Sequence, residues 1–267
     1  MEKKDAVRVT VFGTRGSVPV SGPGTERFGG RTSCYLVSAA DAALVIDAGT
    51  GIMNVPEGAF PPGPVAVFLT HAHADHVAGL PFFRPMTERG RRVDIYAVPR
   101  GGLSCREMLD RYFSPPVWPV RLSDYPADVR FCDLTLPVRV GPFCVDGIES
   151  RHPGGSTVFG VEYGGRRIVI ATDFEHGGES DRRLADFARG ADLLMYDGQY
   201  ADEEYEKKRG YGHSTPSAGL ALAAECGARR LYVVHHDPDR RDDELERIEA
   251  GLCGGARLAR EGDVIEI

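Results

Sequence analysis

Thr70-His-Ala-His-Ala-Asp-His76 places three imidazoles and a carboxylate in one short stretch, directly after the apolar run Val65-Ala-Val-Phe-Leu69. Neutral imidazole and carboxylate are the side chains that bind divalent metals such as zinc. Alternate residues of an extended segment point the same way, so His71 and His73 can share one ion. Asp75 and His76 follow where the chain turns into a helix and can serve a second. A structural zinc site would draw on cysteines and close its coordination sphere. This donor set therefore reads as a two-metal reaction centre.

The remaining donors stand at the ends of strand-like runs. His152 follows the run 145–150, Asp173 follows Ile168-Val-Ile-Ala-Thr172, and His235 follows Leu231-Tyr-Val-Val234. Each alone could be a turn or capping residue. Together with residues 71–76 they form a matching set, which a mixed sheet would gather on one rim.

Short Val- and Ile-rich runs bounded by Gly, Pro or Asp predict strands at 7–12, 35–37, 43–46, 65–69, 93–97, 143–149, 158–163, 167–171, 192–195, 231–234 and 264–267. Helical patterns fall at 76–84, 102–112, 181–188, 201–208, 216–226 and 240–250. Strands lead each half and helices intervene later, which predicts a layered α/β fold with the sheets between helices. No repeat or long linker divides the chain, so 1–267 is read as one domain.

Composition narrows the function classes. A hydrophobic fraction of 42% suits a chain with a sizeable core. No apolar run is long enough for a transmembrane helix, and no signal-peptide core follows Met1, so a cytoplasmic protein without membrane contact is expected. The six cysteines are scattered and read as free thiols. A net charge of −7 disfavours a general nucleic-acid binder.

The order H-x-H-x-D-H, then His, then Asp, then His resembles the metallo-β-lactamase superfamily across nearly the whole chain. The resemblance implies an αββα four-layer sandwich of two mixed sheets flanked by helices, with a dinuclear centre along one edge. On that pattern His71, His73 and His152 hold one metal, Asp75, His76 and His235 hold the other, and Asp173 bridges them. His235 rather than His236 takes the family position just after the strand, and strand neighbours point to opposite sides. His236 is left as a supporting or substrate residue. Asp47, in Leu44-Val-Ile-Asp-Ala-Gly-Thr-Gly51, matches the aspartate that supports the ligands from behind, a role such sites need.

The fold does not settle the reaction. Gly212-His-Ser-Thr215, just before a helix, resembles the His-Ser-Thr element of ribonuclease Z-like phosphodiesterases. There the histidine reaches the scissile phosphate and aids the leaving oxygen, so the resemblance gives His213 that role. The opening loop around Gly13-Thr-Arg-Gly-Ser-Val-Pro19 and the stretch 77–83 look like the same branch. Ribonuclease Z carries a long tRNA-clasping arm between the third His and the bridging Asp. The interval from His152 to Asp173 has no room for one, so tRNA is an unlikely substrate on the family pattern. A small phosphodiester, a cyclic nucleotide or similar, is the expected partner. Two divalent cations, zinc first and manganese or iron also accepted by these donors, would activate the nucleophile, with Asp75 orienting it or taking its proton. Asp197 is a candidate to fix the tautomer of His213. Arg15, Arg27 and Arg31 are candidates to clasp the phosphate. The segment 112–119, with the chain's one tryptophan, could wall the pocket or be a self-packed surface loop.

A lactonase, thioesterase or glyoxalase-type hydrolase shares the metal cluster but has no need of Gly-His-Ser-Thr. A di-iron oxygen or nitric-oxide reductase generally replaces the second His of the cluster with Glu, and His73 is intact. A non-catalytic metal-binding module would be supported by a lost ligand, and all seven candidates are present. Dimers are common in the family, although no interface is legible in this chain.

Overall fold

A computed structural model describes residues 6–267. In chain order the strands are β1 (Arg8–Gly13), β2 (Cys34–Ala39), β3 (Ala42–Ile46), β4 (Val65–Leu69), β5 (Arg92–Ala97), β6 (Asp128–Asp133), β7 (Val138–Val140), β8 (Phe143–Ser150), β9 (Ser156–Tyr163), β10 (Arg166–Ala171), β11 (Leu193–Asp197), β12 (Leu231–Val234), β13 (Arg257–Leu258) and β14 (Val264–Glu266). The helices are α1 (Ala74–Val77), α2 (Cys105–Asp110), α3 (Glu179–Phe187), α4 (Asp202–Lys208), α5 (Pro216–Cys226) and α6 (Asp242–Gly251). The strands form two seven-stranded mixed sheets, ordered β14-β1-β2-β3-β4-β5-β6 and β13-β12-β11-β10-β9-β8-β7.

The two sheets face each other across a layer that includes Val9, Ile46, Phe68, Val145, Phe159, Ile170 and Met195, all fully buried. Alternation along the strands sends the other face outward. On the first sheet that outer face packs beneath α2 and short 3-10 turns, and on the second beneath α3, α5 and α6. The result is the expected αββα sandwich. Each fully buried aliphatic or aromatic side chain contributes roughly 1.5–3 kcal/mol of transfer free energy. The inter-sheet layer is therefore a rigid base for whatever stands on its rim.

That rim carries the chemistry. Strands β3 and β4 are parallel neighbours, as are β10, β11 and β12, so their C-terminal ends gather on common edges. Open α/β sheets place ligands at carboxyl ends of strands for this reason. Asp47 and Thr70 leave β3 and β4 side by side. Asp173, Asp197 and His235 leave or end β10, β11 and β12, and His152 leaves β8.

The expected helix at 76–84 is a single α turn followed by 3-10 turns at Leu80–Phe82 and Arg84–Thr87. Pro81 and Pro85 interrupt the backbone ladder. Gly79 also packs so tightly that an added Cβ would lie 2.2 Å from the Gly49 carbonyl oxygen. In contrast, α5 spans the expected 216–226. Thr215 caps it, its hydroxyl accepting the Ala218 N–H at 3.3 Å, Pro216 opens it, and Gly227 ends it in the left-handed conformation. Among the described residues no helix is long and apolar enough to cross a membrane.

Candidate metal centre

Four buried imidazoles turn one nitrogen away from the rim and the other toward Asp173. His76 Nδ1 donates to Asp47 Oδ2 at 2.8 Å, His235 Nδ1 to Gln199 Oε1 at 3.0 Å, and His152 Nδ1 to the Gly212 carbonyl at 3.0 Å. His71 Nδ1 lies 3.1 Å from the Thr70 hydroxyl, which itself donates to Asp47. These acceptors hold the proton on Nδ1 and leave the Nε2 lone pairs facing inward. Asp173 reaches both halves of the array. Its Oδ1 lies 3.8 Å from His71 Nε2 and 3.7 Å from His152 Nε2, and its Oδ2 lies 3.0 Å from His76 Nε2 and 3.3 Å from His235 Nε2. Asp75 Oδ2 is 3.2 Å from His235 Nε2 and 3.3 Å from His76 Nε2, and it accepts the Ser17 N–H at 2.7 Å.

The donors form two main groups, with His213 close enough to join His152 and Asp173 or Asp197 and His235. Ligand atoms of His71, His73 and His152 lie within 4.8 Å of one another, as do those of Asp75, His76, Asp173 and His235. His71 Nε2 and His76 Nε2 are buried without a hydrogen bond, an arrangement that costs about 1–3 kcal/mol per orphaned group. His73 Nδ1 faces His152 Nε2 at 3.1 Å, two ring nitrogens turned on each other. A cation between the rings satisfies all of these lone pairs. The residues present therefore fit two divalent ions.

The local electrostatics agree. Burial, then the neighbouring His76, holds His71 well below its ordinary value, and burial lowers His73 and His152 as well. Neutral imidazole is the form a cation needs. Burial alone would raise the Asp75 and Asp173 carboxyls. The adjacent imidazoles, His76 and His235 at both, outweigh it and keep both well below the usual carboxylate range. Burial would lower His235, but Asp173 and the hydrogen bond to Asp75 push it up to about 9. In that half a proton holds the place that a cation would take.

His213 stands beside this array. Its Nδ1 donates to Asp197 Oδ2 at 2.9 Å, and its ring stacks on His235 at 4.9 Å between centroids. Asp197 also accepts the Asp173 and Ser214 N–H groups, tying the strand end to the Gly212–Thr215 loop. Buried Glu175 clamps the same loop, accepting the N–H groups of Gly210 and Gly212, each at 2.8 Å. Among the described residues the non-glycine positions with positive φ are Ser17, Asp47, Asp173 and His235, all in this array. Such backbone strain collects at functional sites.

The structure departs from the sequence expectation at four residues. His236 turns to the opposite side: its Nε2 donates to the Ala259 carbonyl at 2.8 Å and its ring meets Phe28 edge-on. It neither faces the array nor touches the ring of His235. Arg15 does not line the rim either. It is fully buried and donates to the carbonyls of Gly29, Asp237 and Arg240 at 2.8–3.0 Å, fastening the opening loop to the loop after β12. Arg27 pairs with Glu246 at 2.5 Å and Arg31 with Glu261 at 2.7 Å. The reason is common to all three arginines: long-range carbonyls or carboxylates engage them away from the rim, although Arg15 Nη2 is left buried without a partner. Arg15→Met is accordingly expected to lower stability by roughly 3 kcal/mol or more through orphaned buried carbonyls. Urea denaturation measures this, and an unchanged midpoint would contradict the clasp.

Ser17, Thr70, Glu175 and Gln199 are contributors that sequence reading missed. Small polar residues in loops carry no local signal. Only the placement of Gln199 two residues after Asp197 hinted at a role. The tryptophan segment is mostly self-packed, Trp118 meeting Phe82 and Phe113 edge-on, while Tyr112 lines a cavity beside His71 and His73.

Comparison with known proteins agrees with this architecture. A family model described as a beta-lactamase superfamily domain matches residues 43–236. A curated relative named Ribonuclease Z, from Bradyrhizobium diazoefficiens, is 23% identical, covering 97% of this chain and 99% of its own. The metallo-beta-lactamase fold protein YhfI from Bacillus subtilis superposes with a TM-score of 0.73 at 21% identity, covering 99% of this chain and 100% of its own. A diphosphatase from the PhnP family superposes with a TM-score of 0.72 at 19% identity, covering 98% and 97%. The chain belongs to the metallo-β-lactamase superfamily and is a hydrolase of that superfamily, similar to proteins named Ribonuclease Z.

Proposed function

We propose that the protein is a metal-dependent phosphodiesterase acting on a small phosphodiester. His71, His73 and His152 hold one divalent cation, Asp75, His76 and His235 hold the other, and Asp173 lies between them. Zinc comes first among the metals these donors accept, with manganese and iron next. Such a pair supplies a nucleophile at neutral pH and offsets the phosphate charge.

The observation that carries the reading is the Asp197–His213 pair beside the donor array. Expelling an alkoxide from a phosphodiester needs a proton, and a carboxylate on Nδ1 holds the ring in place and supports the imidazolium form, which can give up its Nε2 proton. Thioester hydrolysis releases a stable thiolate and makes no comparable demand, whereas a lactone also releases an alkoxide and is set apart here only by the likeness of Gly212-His-Ser-Thr215 to the phosphodiesterase element. Asp75, held by the Ser17 N–H, orients the attacking oxygen and takes its proton. His213 gives a proton to the leaving oxygen, and Asp197 stabilises the charged ring.

A small substrate is favoured over tRNA by the net charge of −7 and by the segment between His152 and Asp173. That segment is the β9–β10 hairpin alone, closed at Gly164-Gly165 with no inserted arm. The similarity to a protein called Ribonuclease Z and to a diphosphatase supports phosphoester chemistry in general.

Hydrolysis of bis(p-nitrophenyl) phosphate with added zinc or manganese tests the reading against a lactone and a thioester. Turnover of the diester alone is expected. Turnover of the lactone alone would transfer the assignment to a lactonase, and turnover of the thioester alone would transfer it to a thioesterase and remove the acid role of His213.

A further inference from the structure

Beside the donor array is a cavity of about 180 Å³ that no step above uses. It opens on His71 and His73 and is walled by Met108, Arg111 and Tyr112. Whole-ligand pockets run to roughly 300–1,000 Å³, so this one has room for part of a substrate. Its floor is Gly154-Gly155, where the backbone leaves space next to His73: a Cβ on Gly154 would lie 3.8 Å from His73 Nε2. A group bonded to a phosphate at the array can therefore enter it.

The walls are of two kinds. Met108 is a nearly buried thioether, and Tyr112 is exposed at 37% with its ring 6.1 Å from Phe113. Both offer apolar surface to a flat group. Two guanidinium groups also line the cavity. Arg100 is engaged, donating to Glu149 at 2.6 Å and to the Thr157 hydroxyl at 2.8 Å. The exposed Arg111 guanidinium makes no hydrogen bond or ion pair among the described residues. Glu107, one turn earlier on α2, would be its natural partner. That carboxylate feels the Arg111 charge but accepts its hydrogen bonds from the Ser104 N–H and hydroxyl in the helix-capping box, at 2.9 and 2.7 Å.

We infer that this cavity binds one arm of the substrate and that the arm carries a flat group and then a second anion. Resting on the phosphodiesterase reading, this makes the preferred substrate a linear diester with an additional terminal phosphate. A nucleotide bearing a further phosphate group has that chemistry, whereas a cyclic mononucleotide does not. Met108 and Tyr112 hold the flat group, and Arg111 pairs with the terminal charge.

Calorimetric titration of the zinc-loaded protein with thymidine 5′-monophosphate and thymidine 3′,5′-bisphosphate tests this. The bisphosphate should bind about tenfold more tightly, the scale of one charge-assisted hydrogen bond. Arg111→Ala should bring the ratio near one, and Arg111→Lys should keep part of it. Equal binding by the wild type, no binding of either ligand, or a ratio unmoved in Arg111→Ala overturns the inference. The readout does not depend on turnover. A preserved ratio in a protein that cleaves no diester would therefore refute the assigned reaction while leaving the cavity's role intact.

Discussion

Asp75→Ala is expected to lower diester turnover by roughly 10³-fold or more, because one carboxylate serves several partners at once. Its Oδ2 faces the inward nitrogens of His76 and His235 and accepts the Ser17 N–H. On the proposed assignment, removing it deletes a cation ligand and the group that positions the nucleophile, and it frees the opening loop at Ser17. Asp75→Asn separates these roles. The amide oxygen still accepts the Ser17 N–H but carries no charge, so the loop stays anchored while turnover remains lost. Full activity in the Asn variant, measured with excess metal, would contradict the role given to the carboxylate.

His213→Ala is expected to keep both cations and still lose about 10²-fold or more in turnover of a diester with an alkoxide leaving group, the usual scale for a missing general acid. The reason is positional. His71, His73 and His152 on one side and Asp75, His76, Asp173 and His235 on the other make up both donor groups without it, although its own ligand atom also lies within 4.8 Å of those of His152 and Asp173. With a p-nitrophenolate leaving group the loss should be much smaller, because that anion departs without a proton. Equal losses on the two substrates would assign His213 to substrate binding. Loss of metal in the variant would assign it to the ligand set.

Much of this was legible because the chemistry is written into neighbouring residues. Thr70 to His76 presents four donors in one stretch, and Asp173 and His235 follow apolar runs whose strand character is plain from Val and Ile. The charged or short strands β6, β7 and β13 gave no such signal. They lie at or beside sheet edges, and β6 carries Asp128, Arg130 and Asp133, residues that suit an unpaired edge rather than a core. The arginines of the opening loop misled for another reason. Arg15 sits close in sequence to Ser17, which touches Asp75, yet its own partners include Asp237 and Arg240, far away in the chain. Glu175 and Gln199 likewise act through contacts that only the assembled rim creates.

The central claim is that the rim holds two cations, one in each donor group. Crystals of the zinc-loaded protein, measured at the zinc absorption edge, would show this directly in an anomalous difference map. The expected result is two peaks, one among His71, His73 and His152 and one among Asp75, His76 and His235, with the Asp173 carboxylate between them. A single peak, or none at these residues in a fully loaded crystal, would contradict the account.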